Sequence, residues 1–196
     1  MGRYKDAVAE ARLAVEFDPL STGHNFRFGQ KLYYRRDYDR ALEQLQKTLE
    51  LDPNFAYTYA FLAQVYASKG MYTESLAAWE KMASLSWDDH YTRASRSLIL
   101  AMGGKTDEAK TILNELKSRP KLDHPLSLIP LADTYSVLGE KDEAFEFLEA
   151  AYKERVSLLI FIGIRPAFDN IRSDRRYDDL LRRMGLPQVP LPTSPS

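Results

Sequence analysis

Tyr4, Tyr38 and Tyr72 stand 34 residues apart, and each is followed three positions on by a small residue, Ala7, Ala41 and Ser75. Thr106 and Ala109 continue the series, and a last copy, LADTYSVLGEKDEAFEFLEAAYKER, places Ala144 one residue late. The pairs Asp18-Pro19 and Asp52-Pro53 keep the same spacing, with Trp87 in the next slot, so a helix-stopping proline falls at one phase of successive copies. A fixed period of this length excludes most folds at once. Each copy must be a supersecondary unit that covers its apolar face against the next copy. The slip of one residue is assigned to the connection Ser118 to Pro125, where an added loop residue leaves stacking intact.

Within each copy, apolar residues recur at three- and four-residue steps on both sides of a turn, which predicts two helices per unit. Gly70, Gly104 and Gly139 mark that turn. Small residues sit where the two helices must approach closely: Gly29, Ala63, Ser97 and Ala132 face Ala41, Ser75, Ala109 and Ala144. Large residues fill the space beside them, with Leu32, Tyr66, Leu100 and Tyr135 from the first helices and Leu45, Trp79, Leu113 and Leu148 from the second. With 196 residues, 44% of them hydrophobic, such an array needs no disulfide or structural metal to fold, and the absence of cysteine excludes both disulfides and Cys-ligated metal sites. A balance of 27 Lys plus Arg against 28 Asp plus Glu argues against a dedicated nucleic-acid binder. The longest apolar run, Val156 to Ile164, has nine residues, well short of the ~20 a spanning helix needs. Met1 to Phe17 is charged throughout, unlike a secretory signal. The compartment expected is the cytoplasm, or the periplasm if a membrane segment lies upstream.

This pattern resembles the tetratricopeptide repeat family over about Gly2 to Arg155. The resemblance implies an all-α fold, a right-handed superhelical solenoid of stacked helix-turn-helix units whose concave wall is lined by first helices. The expected divisions are a half repeat at 2–19, repeats at 22–55, 56–89, 90–123 and 125–155, a connector with a capping helix at 156–185, and a disordered tail at 186–196. Departures from the family pattern exist. Its usual tryptophan near the start of a unit is here Asn25, Tyr59, Arg93 or Leu128, and Arg96 takes a normally apolar slot, which puts the first helix of the fourth unit in doubt.

The two ends carry separate expectations. Tyr4 to Phe17 supplies a second helix with no first helix ahead of it, and its stripe of Tyr4, Ala7, Val8, Ala11, Ala14 and Val15 has the spacing of a face buried on both neighbours. That predicts further chain upstream, or a frayed end. At the other end, Ser173 or Asp174 can cap a helix carrying Tyr177, Leu180, Leu181 and Met184 on one stripe, stopped by Gly185 and Pro187. Asp178 can pair with Arg182 and Asp179 with Arg183. Such a helix should cover the exposed face of the last repeat. The stretch RPAFDNIRSDRRYDDLLRRMGLP also looks like the C-terminal ending of repeat regions in large bacterial regulatory proteins, where the array typically follows a winged-helix, Ser/Thr kinase or nucleotide cyclase domain. Arg175 stands where that ending usually has proline.

Candidate chemistry is sparse. Gly104-Lys105-Thr106 imitates the end of a phosphate-binding loop, but Ile99 holds the place of its first glycine and the segment joins two helices instead of leaving a strand. His24, His90 and His124 lie at repeat boundaries, read as loop positions, and none has a second ligand four residues on. The acidic pairs Asp88-Asp89 and Asp178-Asp179 are neighbours in sequence and diverge on a helix by about 100°. No catalytic residue, metal site or cofactor is therefore predicted.

Binding is the remaining reading. The family's concave positions map onto Phe26, Gln30 and Tyr33, then Tyr57, Ala60 and Gln64, then Tyr91, Ala94 and Leu98, then Ile129, Asp133 and Ser136. Phe26, Gln30, Tyr33, Tyr57, Gln64, Tyr91 and Asp133 are the expected partner contacts, on an aromatic and weakly polar wall. Phe26 and Gln30 occupy the places where relatives that grip a C-terminal carboxylate carry Lys and Asn, so that clamp is absent. Arg27, Lys31 and Arg35 recur at four-residue steps, either as a solvated helix face or as an anion or acidic-peptide contact. The function expected is a non-catalytic scaffold for a protein or peptide partner, within a bacterial regulator. The alternative is self-association through the uncovered N-terminal helix. Replacing Gln30, Tyr33 and Gln64 together is expected to weaken the partner without lowering stability.

Overall fold

The computed structural model describes residues 2–85, 89–118 and 125–187, and of residues 2–6 the backbone alone. Trp87, Asp88, His124, the added residue of the 118–125 connection and the tail beyond 187 lie outside the described residues. The chain divides into two compact units, Met1–Trp87 and Asp88–Ser196. Every described residue in a regular element is helical, in α-helices or 3-10 turns.

The first unit contains α1 (Gly2–Phe17), α2 (Thr22–Tyr34), α3 (Tyr38–Leu51), α4 (Ala56–Ser68) and α5 (Tyr72–Leu85), each packed on the next. Close approach of α2 to α3 follows from Gly29, where an added Cβ would lie 2.8 Å from Leu45 Cδ2. Between α4 and α5 the same position is Ala63, whose carbonyl accepts a 2.7 Å bond from the buried Ser75 hydroxyl. Ala41 and Leu45 are fully buried behind them. Polar support is also built in. Gln44 Nε2 on α3 donates to Asn25 Oδ1 on α2 at 2.6 Å, and Asn25 Nδ2 donates to the carbonyls of Pro19 and Ser21. Asn25 thus ties three segments from the slot where the repeat pattern expects tryptophan.

The second unit contains α6 (Asp89–Met102), α7 (Thr106–Lys117), α8 (Leu128–Leu138), α9 (Lys141–Lys153) and α10 (Arg175–Arg183). A 3-10 stretch, Ser157–Ile164, and another, Pro166–Ile171, connect α9 to α10. The doubtful helix of the fourth unit is formed as α6, because Arg96 stays exposed while Ala94, Ser97 and Leu98 face inward. Arg93, again in the tryptophan slot, pairs with Glu115 on α7. His24 and His90 belong to the first turns of α2 and α6, not to loops. Gly104-Lys105-Thr106 is the turn from α6 to α7, with Lys105 bonded to Glu108 rather than free for phosphate.

One turn recurs in both units. Gly70, Gly104 and Gly139 follow α4, α6 and α8 at φ 74°, 74° and 79°, and the residue after each donates its amide back to the carbonyl of Tyr66, Leu100 or Tyr135 at 2.9 Å. This left-handed C-terminal closure is what glycine allows at least cost. After α2 the same place is held by Arg36 at φ 65°, with Asp37 N donating to Leu32 O at 3.1 Å.

The capping helix α10 lies on α9. Its buried face is Tyr177, Leu180 and Leu181, against a core containing Phe145, Leu148 and Ala151. Asp174 is the cap: its carboxylate accepts from Arg176 N at 3.0 Å, and the Arg176 bonds hold its carboxyl down at about 2. Arg176 stacks 4.2 Å from the Phe145 ring centre and reaches Asp142 at 2.7 Å, while Arg183 stacks over Tyr152 and pairs with Glu149. Arg183 also pairs with Asp179 at 3.1 Å, but Arg182 turns to Asp179 at 3.4 Å instead of to Asp178. The connector is ordered as 3-10 turns, burying Leu159 and Ile162 and leaving Ile160 60% exposed.

Candidate functional site

In the first unit the helix spacing brings an aromatic network onto the seam of α2 and α4. Phe61 is its hub. Phe26, Tyr33 and Tyr34 present to it edge-on, at ring separations of 5.5, 5.6 and 5.9 Å and interplanar angles of 79°, 83° and 87°. Phe26 also meets Phe55 at 5.3 Å and Tyr57 at 6.5 Å, and Tyr33 meets Tyr38 at 6.0 Å. Edge-to-face rings attract through their quadrupoles, adding about 0.5 to 1.5 kcal/mol per pair beyond burial, so the network sets its members in fixed orientations. Tyr33 Oη donates to Gln64 Oε1 at 3.3 Å, and Gln64 Nε2 donates to Ala60 O at 3.3 Å, which directs the amide along the seam.

Of the expected contacts, Phe26, Tyr33, Tyr57 and Gln64 are therefore brought together. Their accessibility differs sharply. Tyr57 is 59% exposed, Phe26 and Gln64 are half-buried, and Tyr33 and Gln30 are buried. Tyr33 and Gln30 are consequently parts of the support, and the expectation that they could be removed without loss of stability is corrected by their burial. Phe61 and Phe55 were missed by the concave-position mapping. Phe61 falls one residue after Ala60, at the phase of Arg27, where the repeat carries no consistent residue type.

Arg27, Lys31 and Arg35 form a row beside this seam on α2. Arg27 and Arg35 are exposed, and Lys31 is half-buried, its amine pushed below the ordinary lysine range by that burial and by Arg27. Four other cations of the unit have carboxylate partners: Arg12 reaches Glu16, Arg40 reaches Asp37, Lys47 reaches Glu43 and Lys69 reaches Asp39. Arg27 and Arg35 meet no carboxylate among the described residues.

Tyr91 and Asp133 belong to the second unit. Tyr91 is half-buried on α6. Asp133 is fully buried and unavailable to a partner, which corrects its assignment as a contact. Its carboxylate receives Arg165 Nε at 3.0 Å on Oδ1 and the second guanidinium nitrogen on Oδ2. Burial pushes the Asp133 carboxyl above its ordinary range, against the pull of the facing guanidinium. Beside it, Ser136 Oγ donates to Ala167 O at 2.7 Å, and Asn170 Nδ2 donates to Ser136 O at 3.1 Å. The chain's own Arg165–Asn170 stretch thus lies on the wall positions of α8. Its trace in the sequence is the stretch 165–183, where six arginines stand among four aspartates and nothing marks Arg165 apart for an interior role.

Among the described residues no cluster of His, Asp or Glu could hold a metal ion, and no helix is long and apolar enough to cross a membrane. No protein-family model matches the chain, and no curated protein matches it. The fold does have counterparts among solved structures. Two crystal structures of MamA are 18% identical, with TM-scores of 0.52 and 0.50, over 81% of this chain and 92% and 86% of theirs. A structure of YrrB, a TPR protein with an unusual peptide-binding site, is 20% identical over 88% of this chain and 89% of that one, at a TM-score of 0.48, a likeness too loose to bear on function. Recurrent helix pairs at a 34-residue period, with their glycine closures and a capping helix, give the chain an all-α fold of the tetratricopeptide type, similar to that of MamA.

Proposed function

We propose that the protein is a non-catalytic interaction scaffold that receives a partner segment along the α2/α4 seam of its first unit. The observation that carries this reading is the exposed Tyr57 standing on a network of rings whose other members are buried or half-buried. An aromatic side chain held in place by its neighbours offers a partner a large contact area at little loss of its own conformational freedom. Phe26 and Gln64 complete the accessible edge, and Tyr33 and Phe61 hold it. Selection of displayed peptides against the intact chain tests the reading. Peptides recovered should lose binding on Tyr57→Ala while melting temperature stays close to that of the parent; a selection whose products ignore that change would sink it.

Self-association is a second reading, favoured by Leu13, Phe17 and Leu20, which are 56%, 92% and 78% exposed at the end of α1 and in the turn after it. Sedimentation that remains monomeric at every concentration removes it, whereas a dimer dispersed by Phe17→Glu supports it. The wider role, within a bacterial regulator of signalling or transcription, rests on the resemblance of the C-terminal stretch alone. The reading frame surrounding this segment decides it: a neighbouring kinase, cyclase or DNA-binding module supports the role, and its absence removes it.

A further inference from the structure

We propose that the segment received by the first unit is acidic, a short stretch that sets an aromatic or apolar residue on the Phe26–Tyr57 edge and carboxylates along Arg27, Lys31 and Arg35. The proposal rests on the reading of that seam as a binding surface, and names the chemistry it selects.

Four observations converge on it. Arg27, Lys31 and Arg35 are spaced by one helical turn each, a row spanning roughly 12 Å along one side of α2. Among the described residues the two exposed arginines meet no carboxylate, in a unit where Arg12, Arg40, Lys47 and Lys69 each meet one. Lys31 is half-buried next to Arg27, and burial and that neighbouring charge both disfavour its charged form, so a carboxylate placed along the row would be favoured by all three side chains.

The fourth observation comes from the second unit, where a short segment is seen on a first-helix wall. At α8 the segment Arg165–Asn170 arrives in a 3-10 conformation and is held by one buried charge match and two bonds between side chain and backbone. By the repeat spacing, Asp133 corresponds to Leu98, Gln64 and Gln30, at steps of 35, 34 and 34 residues. Where the wall is anionic the incoming segment is cationic. In the first unit the corresponding positions are neutral glutamines, which carry no charge to hold a cationic segment, and α2 carries Arg27, Lys31 and Arg35 beside Gln30. A segment matched to this wall carries the opposite sign.

The test uses the full chain and labelled short peptides with a central tyrosine flanked on both sides by pairs of glutamate, glutamine or lysine, read by fluorescence anisotropy. The glutamate peptide should bind, weaken at high salt, and bind about tenfold more tightly than the glutamine peptide. Arg27→Gln with Arg35→Gln should erase that difference, with melting temperature confirming that the variant is folded. Equal binding of glutamate and glutamine peptides, both lost in Tyr57→Ala, overturns the acidic proposal and leaves the seam as a binding surface. Absence of binding by any of the three peptides at about 1 mM, or binding indifferent to Tyr57→Ala, overturns the proposal and the seam reading together. Tighter binding of a single-stranded oligothymidylate that depends on Tyr57 and Arg27 also overturns it, in favour of nucleic acid.

Discussion

The wall of α8 and the seam of α2 and α4 descend from the same positions of one repeat, yet the chain covers the first with its own Arg165–Asn170 stretch and leaves the second open. On α8, Asp133 and Ser136 are fully buried and both have partners from that stretch. On the seam, Tyr57 is 59% exposed and Arg27 and Arg35 face water. Both walls stand on the same kind of helix pair, with small residues at the crossing and a left-handed closure at the end of the first helix. What differs is the chemistry of a few wall residues. A repeat therefore supplies a platform, and the side chains placed on it determine whether the platform is interior or surface.

The largest effect expected from breaking this contrast is at Asp133. Asp133→Ala removes the buried carboxylate that faces the Arg165 guanidinium, and should cost about 3 to 5 kcal/mol in urea unfolding. The paired change Asp133→Leu with Arg165→Met should recover most of that, since two buried charges are removed together. A double variant no better than the single one would show that the pair itself, and not the stranded charge, sustains the covered wall. Behind the open seam, Gly29→Val drives a branched side chain into Leu45 and should cost about 1 to 3 kcal/mol by thermal or urea unfolding. No loss there would mean that α2 and α3 can separate freely.

Smaller changes sharpen the comparison. Arg36→Gly at the closure of α2 should stabilise the protein by about 0.5 to 1 kcal/mol, because it relieves a left-handed non-glycine residue where the other pairs use glycine. Tyr57→Ala should cost no more than about 1 kcal/mol, the loss of an exposed ring's contacts with Phe26 and Phe55, and that small change beside the cost at Asp133 is the sharpest measure of open against covered. The smallest effect concerns acid. Asp174 has a folded value of about 2 against an ordinary 3.8, so its contribution is complete above the ordinary value and is lost as pH falls from there towards about 2. Asp174→Asn should flatten that part of the acid-unfolding curve; an unchanged slope would remove Asp174 as its source.

Much of the architecture is legible in the primary structure, and for particular reasons. The crossings at Gly29, Ala63, Ser97 and Ala132 could be read because only small residues permit two helices to approach, and all four are buried as expected. Gly70, Gly104 and Gly139 could be read because a left-handed closure selects glycine. Arg36 could not, since the residue type that discloses this backbone is missing and only its register, 34 residues before Gly70, points to it. Nor could the Asn25 to Gln44 bond, because a polar residue in the tryptophan slot reads as a departure until its partner, 19 residues on, is seen to meet it.

The sequence by itself determined the unit length, the two helices of each unit, their contact faces and the apolar stripe of the capping helix, because these are local consequences of periodicity and side-chain size. Only the tertiary structure decided which wall residues reach solvent. Tyr33 and Tyr57 are the same residue type on neighbouring first helices, and burial separates them into a support and an exposed edge. Asp133 and Arg165 are 32 residues apart and become one interior pair, because accessibility depends on what arrives from elsewhere in the chain, a quantity no local pattern encodes.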